Sequence, residues 1–178
     1  YDNIRKFIKY TLAGNVGQLW MLLIAPFLGM PIPLVPIQIL WINLIADGLL
    51  ALALSFEPAE QRVMRRPPYR PNESIFSRGM GTDILWIGML LGLVLIGVAH
   101  SYWSSGSQAW RTMVFTTLAF SRIALSEAVR SSSESLFKIG LLSNIKLLGA
   151  VLLTFCLQLV VVYVPACQVF FSTVALSG

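Results

Sequence analysis

Apolar residues crowd five stretches of the chain, about Tyr10 to Leu28, Pro36 to Phe56, Ile84 to Trp103, Thr112 to Val129 and Leu147 to Val164. Between them lie polar, glycine-containing or proline-containing connections. A helix needs roughly 20 residues to cross a hydrocarbon core of about 30 Å, and each stretch approaches that length. Lipid offers no partners for open backbone groups, so the pattern predicts an all-α, polytopic bundle of about five transmembrane helices. A polar, helix-compatible stalk, 1–9, precedes the first stretch, and the tail, 165–178, is too short for a sixth crossing.

Composition agrees with that pattern. The chain is 56% hydrophobic and only 12% charged, whereas a soluble domain carries roughly a quarter charged residues. The formal net charge of +5 reads as topology once its placement is seen. Arg5, Lys6 and Lys9 precede the first stretch; Arg62, Arg65, Arg66, Arg70 and Arg78 lie between the second and third; Arg130, Lys138 and Lys146 lie between the fourth and fifth. The loops 29–35 and 104–110 contain no Lys or Arg. The alternation predicts a cytoplasmic N-terminus and an outer C-terminus. The partner it implies is the lipid bilayer, and no nucleic acid.

No secretory leader is recognisable at residues 1–9. The missing starting Met and the odd number of crossings lead us to expect a piece of a longer chain, with one more helix beyond the tail. Cys156 and Cys167, about 16 Å apart on a continuous helix, read as packing residues and lie beyond disulfide reach. The long loop from Glu57 to Asp83, with Pro58, Pro67, Pro68 and Pro71 among its arginines, is either a solvated topology signal or a docking surface for a cytoplasmic domain.

Candidate chemistry lies with polar residues that a bilayer disfavours. Asp47 sits midway along the second stretch, where a carboxylate costs about 2.5–3.5 kcal/mol to insert. Asn43, four residues earlier, is expected on the same helical face. Together they offer hard oxygen ligands of the kind Ca2+ or Mg2+ prefers; the competing reading is an interhelical hydrogen-bonded pair. Gly48 would permit close helix approach or local unwinding. On the first stretch, Asn15 and Gln18 share one face, thinned by Gly14 and Gly17; they are neutral candidates for ligation or for interhelical hydrogen bonding. Arg122 in the fourth stretch either snorkels to the inner boundary or points toward Asp47 as a counter-charge. Glu127 and Glu134 read as surface carboxylates, and His100 as part of an interfacial belt beside Tyr102 and Trp103. No CxxC, HExxH or phosphate-cradling glycine loop occurs, so no catalytic residue is assigned in this chain.

The stretches Tyr1 to Tyr10, Gly14-Asn15-Val16-Gly17, Leu40 to Leu49 and Met64-Arg65-Arg66-Pro67-Pro68 closely resemble type II P-type ATPases. Among these, the sarco/endoplasmic-reticulum-like calcium pumps and their bacterial relatives match best. The similarity runs on through Glu134 to Phe137 and to Tyr163-Val164-Pro165, covering nearly the whole chain. It implies membrane helices five to nine of ten. The tenth helix, helices one to four, and the actuator, nucleotide-binding and phosphorylation domains would belong to the missing N-terminal portion and the end of the same chain. ATP and Mg2+ would bind only in those missing domains, and Ca2+ would be the transported ion. A bacterial cell membrane is the implied location.

Carried over by residue, the resemblance assigns Asn43 and Asp47 to the ion site that these pumps share. The second site of the two-ion pumps matches Asn15, Gln18, Ala46, Asp47 and Arg122, where two carboxylates and a threonine have been replaced. The implied outcome is one Ca2+ per cycle, with Arg122 as a built-in counter-charge. Manganese-tolerant pumps of the secretory-pathway type likewise keep only the shared site, so Mn2+ is the alternative ion. Rivals of another class are a self-contained channel or secondary carrier and a non-transporting membrane subunit.

Overall fold

The computed structural model describes residues 1–58, 73–130, 140 and 143–176. Within them the chain is helical, with six elements: α1 (Asp2–Phe27), α2 (Pro36–Ser55), α3 (Met80–Ser104), α4 (Trp110–Ala128), α5 (Ile145–Tyr163) and the short α6 (Pro165–Phe171). The predicted all-α bundle is therefore what forms. The stalk and the first stretch are one continuous helix. Most of the basic loop, including Arg62, Arg65, Arg66 and Arg70, and also Glu134 and Lys138, lies outside the described residues.

By length and composition, α2, α3 and α5 are long and apolar enough to cross a membrane. The other two expected crossings, α1 and α4, form as helices but fall short of that apolar criterion. Their shortfall has a local cause. Asn15 and Gln18 interrupt α1, and Arg111 and Arg122 interrupt α4; of these, Arg122 meets Asn15 and Gln18 inside the bundle.

The most extensive packing joins α1 to α3. It depends on small residues: a Cβ at Gly17 would stand 3.0 Å from the Gly88 carbonyl oxygen, and one at Gly92 would stand 3.3 Å from the Gly17 carbonyl oxygen. Backbones this close are the usual result of small residues at four-residue spacing.

Two apolar clusters fill the bundle. The one toward the C-terminal end of α1, the outer cluster, gathers Met21, Ile42, Leu95, Phe115, Leu118 and Val161; the one toward its N-terminal end, the inner cluster, gathers Tyr10, Leu50, Leu54, Met80, Leu125 and Leu147. Along α1, α2 and α4 alike, the buried polar residues Gln18, Asp47 and Arg122 fall between the two clusters. The tail does not run on outward. Instead α6 folds back, Phe171 joins the outer cluster, and the Val174 N–H donates to Thr112 Oγ1 at 2.9 Å. Of the two cysteines, Cys167 packs against that cluster, whereas Cys156 is exposed on α5 and contributes no interior packing.

α2 is not uniformly α-helical. Ile42–Ala46 form a π-helical turn, flanked by α-helix on both sides. Such turns widen a helix by one residue and change which side chains share a face. Here the consequence falls on the site.

Candidate functional site

Between the two clusters, α1, α2 and α4 bring together one buried carboxylate and one buried guanidinium. Asp47 begins the inner half of α2 and is 6% exposed, and Arg122 is fully buried. Arg122 Nε lies 3.3 Å from Asp47 Oδ1. Arg122 Nη2 donates to Asn15 Oδ1 at 3.0 Å and to Gln18 Oε1 at 3.2 Å. Arg122 does not snorkel; its side chain runs into the bundle, where it is paired by charge with Asp47 and hydrogen-bonded to two amide oxygens of α1.

The space for it comes from α1. Gly14 faces Arg122 so closely that a Cβ there would overlap the guanidinium and reach Nε at 3.0 Å. Of the two glycines expected to thin one face of α1, Gly14 therefore receives Arg122 while Gly17 receives α3. The site also contains a residue that the sequence did not single out: the Tyr10 hydroxyl donates to Asp47 Oδ1 at 3.1 Å, and Tyr10 is fully buried. A signal existed, because Tyr10, Gly14 and Gln18 recur every four residues and share a face of α1.

Asn43 stands apart. It is exposed while Asp47 is buried, and it makes no side-chain hydrogen bond among the described residues. The expectation of a shared face assumed α-helical spacing, and the π turn that begins at Ile42 rotates the four-residue step away from it. Gly48 is likewise exposed, and a Cβ there would meet nothing within 4 Å. It thus makes no close helix approach, and the irregular backbone lies just before Asp47, not at Gly48.

Hydrogen bonding at the centre is incomplete. Arg122 Nε and Nη1 have no hydrogen-bond partner although both are buried, and an unmet buried donor costs on the order of 1–3 kcal/mol. The arrangement is therefore held by charge complementarity more than by a closed network. Among the described residues, no three His, Cys, Asp or Glu side chains gather as a metal site. Among the described residues Asp47 is the one carboxylate at this level, supplemented by the amide oxygens of Asn15 and Gln18, which Arg122 occupies.

A second polar group lies at the inner ends of the helices. Arg130, read from the sequence as part of the topology signal, is 1% exposed. It pairs with Glu57 at 2.9 Å and with Glu127 at 3.1 Å, so Glu127 is an ion-pair partner and not an idle surface carboxylate. Asn144 Nδ2 donates to Glu57 Oε2 at 2.6 Å, and its Oδ1 caps α5 by accepting from the Leu147 N–H at 3.0 Å. The sequence held a partial signal for this group, since an Asn immediately before an apolar run is a strong helix N-cap.

The chain is similar to known proteins over nearly its whole length. Residues 31–178 match the family described as "Cation transporting ATPase, C-terminus". The chain is 42% identical over 181 residues to a "Calcium-transporting ATPase" of Bacillus subtilis, covering 99% of this chain and 20% of that protein. It is 38% identical to "Calcium-transporting ATPase 1" of Lactococcus lactis, covering 89% and 18%. It is 33% identical to the human "Calcium-transporting ATPase type 2C member 1", covering 99% and 20%. The chain thus spans about a fifth of the length of these curated relatives.

Proposed function

The chain belongs to the cation-transporting P-type ATPases and corresponds to their C-terminal membrane region, and from this premise we propose that it is the ion-handling part of an ATP-driven Ca2+ exporter. The observation that carries the reading is Asp47. It is a carboxylate held at 6% exposure among apolar helices, with the fully buried Arg122 at 3.3 Å. Such a group is expensive to retain in a bilayer, and its default role there is functional.

In this reading a cytoplasmic ion reaches the side of Asp47 away from Arg122, and the amide of Asn43 supplies a further hard oxygen from the exposed side of α2. Ligands from membrane helices elsewhere in the longer ATPase would complete the shell. Arg122 stays behind as a fixed positive charge that shares Asp47 with the ion and occupies Asn15 and Gln18. One Ca2+ per cycle follows from that occupancy. ATP and Mg2+ act in the hydrolytic domains of the longer chain, whose movement α1 transmits from its inner end. The basic residues facing the cytoplasm fit a multi-pass protein of a bacterial cell membrane.

The test is ATP-driven uptake of labelled Ca2+ by inside-out vesicles carrying the full-length ATPase. Uptake that requires ATP supports the reading. Uptake without ATP would favour a channel or secondary carrier, and ATP-driven uptake of Mn2+ but not Ca2+ would replace the ion.

A further inference from the structure

The inner end of the Asp47 helix is gripped from three sides, most closely at three residues, Ser55 to Glu57, with one longer bond from Asn144 Nδ2 to the Ala53 carbonyl at 3.5 Å. From α1, Asn3 Nδ2 donates to the Ser55 carbonyl at 2.9 Å and to the Glu57 carbonyl at 2.8 Å. From the end of α4, Arg130 Nε donates to Glu57 Oε1 at 2.9 Å inside the bundle. From the start of α5, Asn144 donates to Glu57 Oε2 at 2.6 Å, and Lys146 Nζ stands 3.8 Å above the Phe56 ring. Glu57 is 6% exposed and Arg130 is 1% exposed. Both carboxylate oxygens and the backbone carbonyl of Glu57 are therefore engaged, each by a different helix end.

The outer end of the same helix is also held. Gln38 Nε2 donates to the Phe171 carbonyl at 3.0 Å, and Trp41 Nε1 to Gln158 Oε1 at 3.3 Å. Between these anchors lies the π turn Ile42–Ala46, with Asn43 and Leu44 exposed and free space beside Gly48. A helix fixed at both ends does not slide as a rod. What remains free to rearrange is the wide turn, which precedes Asp47 directly.

We propose that Glu57 is a positioning residue for the Asp47 site: by tying the inner end of α2 to α1, α4 and α5 it fixes the register of Asp47 against Arg122, so that cation binding is met by local rearrangement of the π turn. Asp47 is ten residues from Glu57, about 15 Å along a helix, so Glu57 touches neither the ion nor its ligands. It acts through the backbone between them. The inference rests on the pump reading given above.

Phosphorylation of the full-length ATPase by labelled ATP, titrated with Ca2+, separates the two. Wild-type protein that forms no Ca2+-dependent phosphoenzyme overturns the pump reading, and this inference with it. Given a wild-type response, the informative variant is Glu57→Leu combined with Arg130→Met, which removes both buried charges together and leaves unpaired only Glu127, a partly exposed carboxylate. The expected result is near-normal phosphoenzyme at saturating Ca2+, with the midpoint moved to about tenfold higher Ca2+. Substitutions that touch neither a ligand nor its site typically change the coupling to that site by about 2–30-fold. Asn3→Ala, which breaks one grip on a half-exposed residue and leaves the buried charges paired, should move the midpoint in the same direction by a smaller factor. A lowered phosphoenzyme level with an unchanged midpoint in both variants would mean that the group only supports folding, and would overturn the proposal.

Discussion

The guanidinium of Arg122 occupies the volume that a side chain at position 14 would need, so Gly14 and Arg122 behave as one feature shared by two helices. A Cβ on Gly14 would overlap Arg122 and force it from Asn15 and Gln18. Gly14→Ala should therefore destabilise the protein by about 1–3 kcal/mol, the usual range for overpacking a close-packed interior. Thermal unfolding of the detergent-solubilised ATPase measures it. The diagnostic is a double variant: with Arg122→Ala present, Gly14→Ala should lose most of its penalty, because the overlapping atoms are gone. Additive penalties would show that the two residues are independent.

Asp47→Asn should abolish Ca2+-dependent phosphorylation by ATP. It removes the one carboxylate at the level of Arg122 among the described residues, and it also strands a fully buried guanidinium. Leaving such a charge unpaired costs about 3–5 kcal/mol, so lost activity alone would not separate ligation from misfolding. Combining Asp47→Asn with Arg122→Met removes the stranded charge. The pair should unfold at a temperature close to wild type while still failing to phosphorylate in response to Ca2+. Phosphorylation at ordinary Ca2+ concentrations would remove Asp47 from the ion site.

The parts of this site visible in the sequence were those that violate the bilayer's preference for apolar side chains. Asp47 and Arg122 stand out in apolar runs, and their pairing follows because each needs the other. The helical class followed from the same runs. What stayed hidden depended on backbone detail. No residue in Ile42–Ala46 marks a π turn, so Asn43 looked coplanar with Asp47 when the wider turn separates them. Tyr10 was hidden because a tyrosine at a membrane boundary normally reads as an interfacial anchor. Arg130 was hidden for a related reason: a basic residue just past an apolar run looks like a topology signal, and only the folded arrangement of four helix ends buries it against Glu57.

Asn43 permits a cleaner test than Asp47. It is exposed and makes no side-chain hydrogen bond among the described residues, so Asn43→Ala removes no internal contact and should leave the unfolding temperature within about 0.5 kcal/mol of wild type in stability terms. If its amide oxygen ligates the ion, the midpoint of Ca2+-dependent phosphorylation should rise by about tenfold or more, the equivalent of roughly 1.4 kcal/mol of lost binding. An unchanged midpoint with unchanged stability would assign Asn43 to lipid or to a neighbouring helix, and would leave Asp47 as the sole ligand that α2 contributes.

The number of ions carried depends on what Arg122 does to the oxygens around it. Asn15 Oδ1 and Gln18 Oε1 accept from the same nitrogen, Nη2, at 3.0 and 3.2 Å, so both amides are oriented toward a cation that the protein already supplies. A divalent ion placed about 6 Å from that guanidinium would meet repulsion of about 5 kcal/mol at an effective dielectric of 20. That is enough to lower occupancy by more than a thousandfold at a factor of ten per 1.4 kcal/mol. An ion on the far side of Asp47, toward Asn43, is screened by the carboxylate and stands farther from the positive charge. Equilibrium binding of labelled Ca2+ to the purified full-length ATPase should therefore saturate at one ion per phosphorylation site. A ratio of two would require the guanidinium to leave Asn15 and Gln18 when Ca2+ arrives, and would overturn its assignment as a fixed counter-charge.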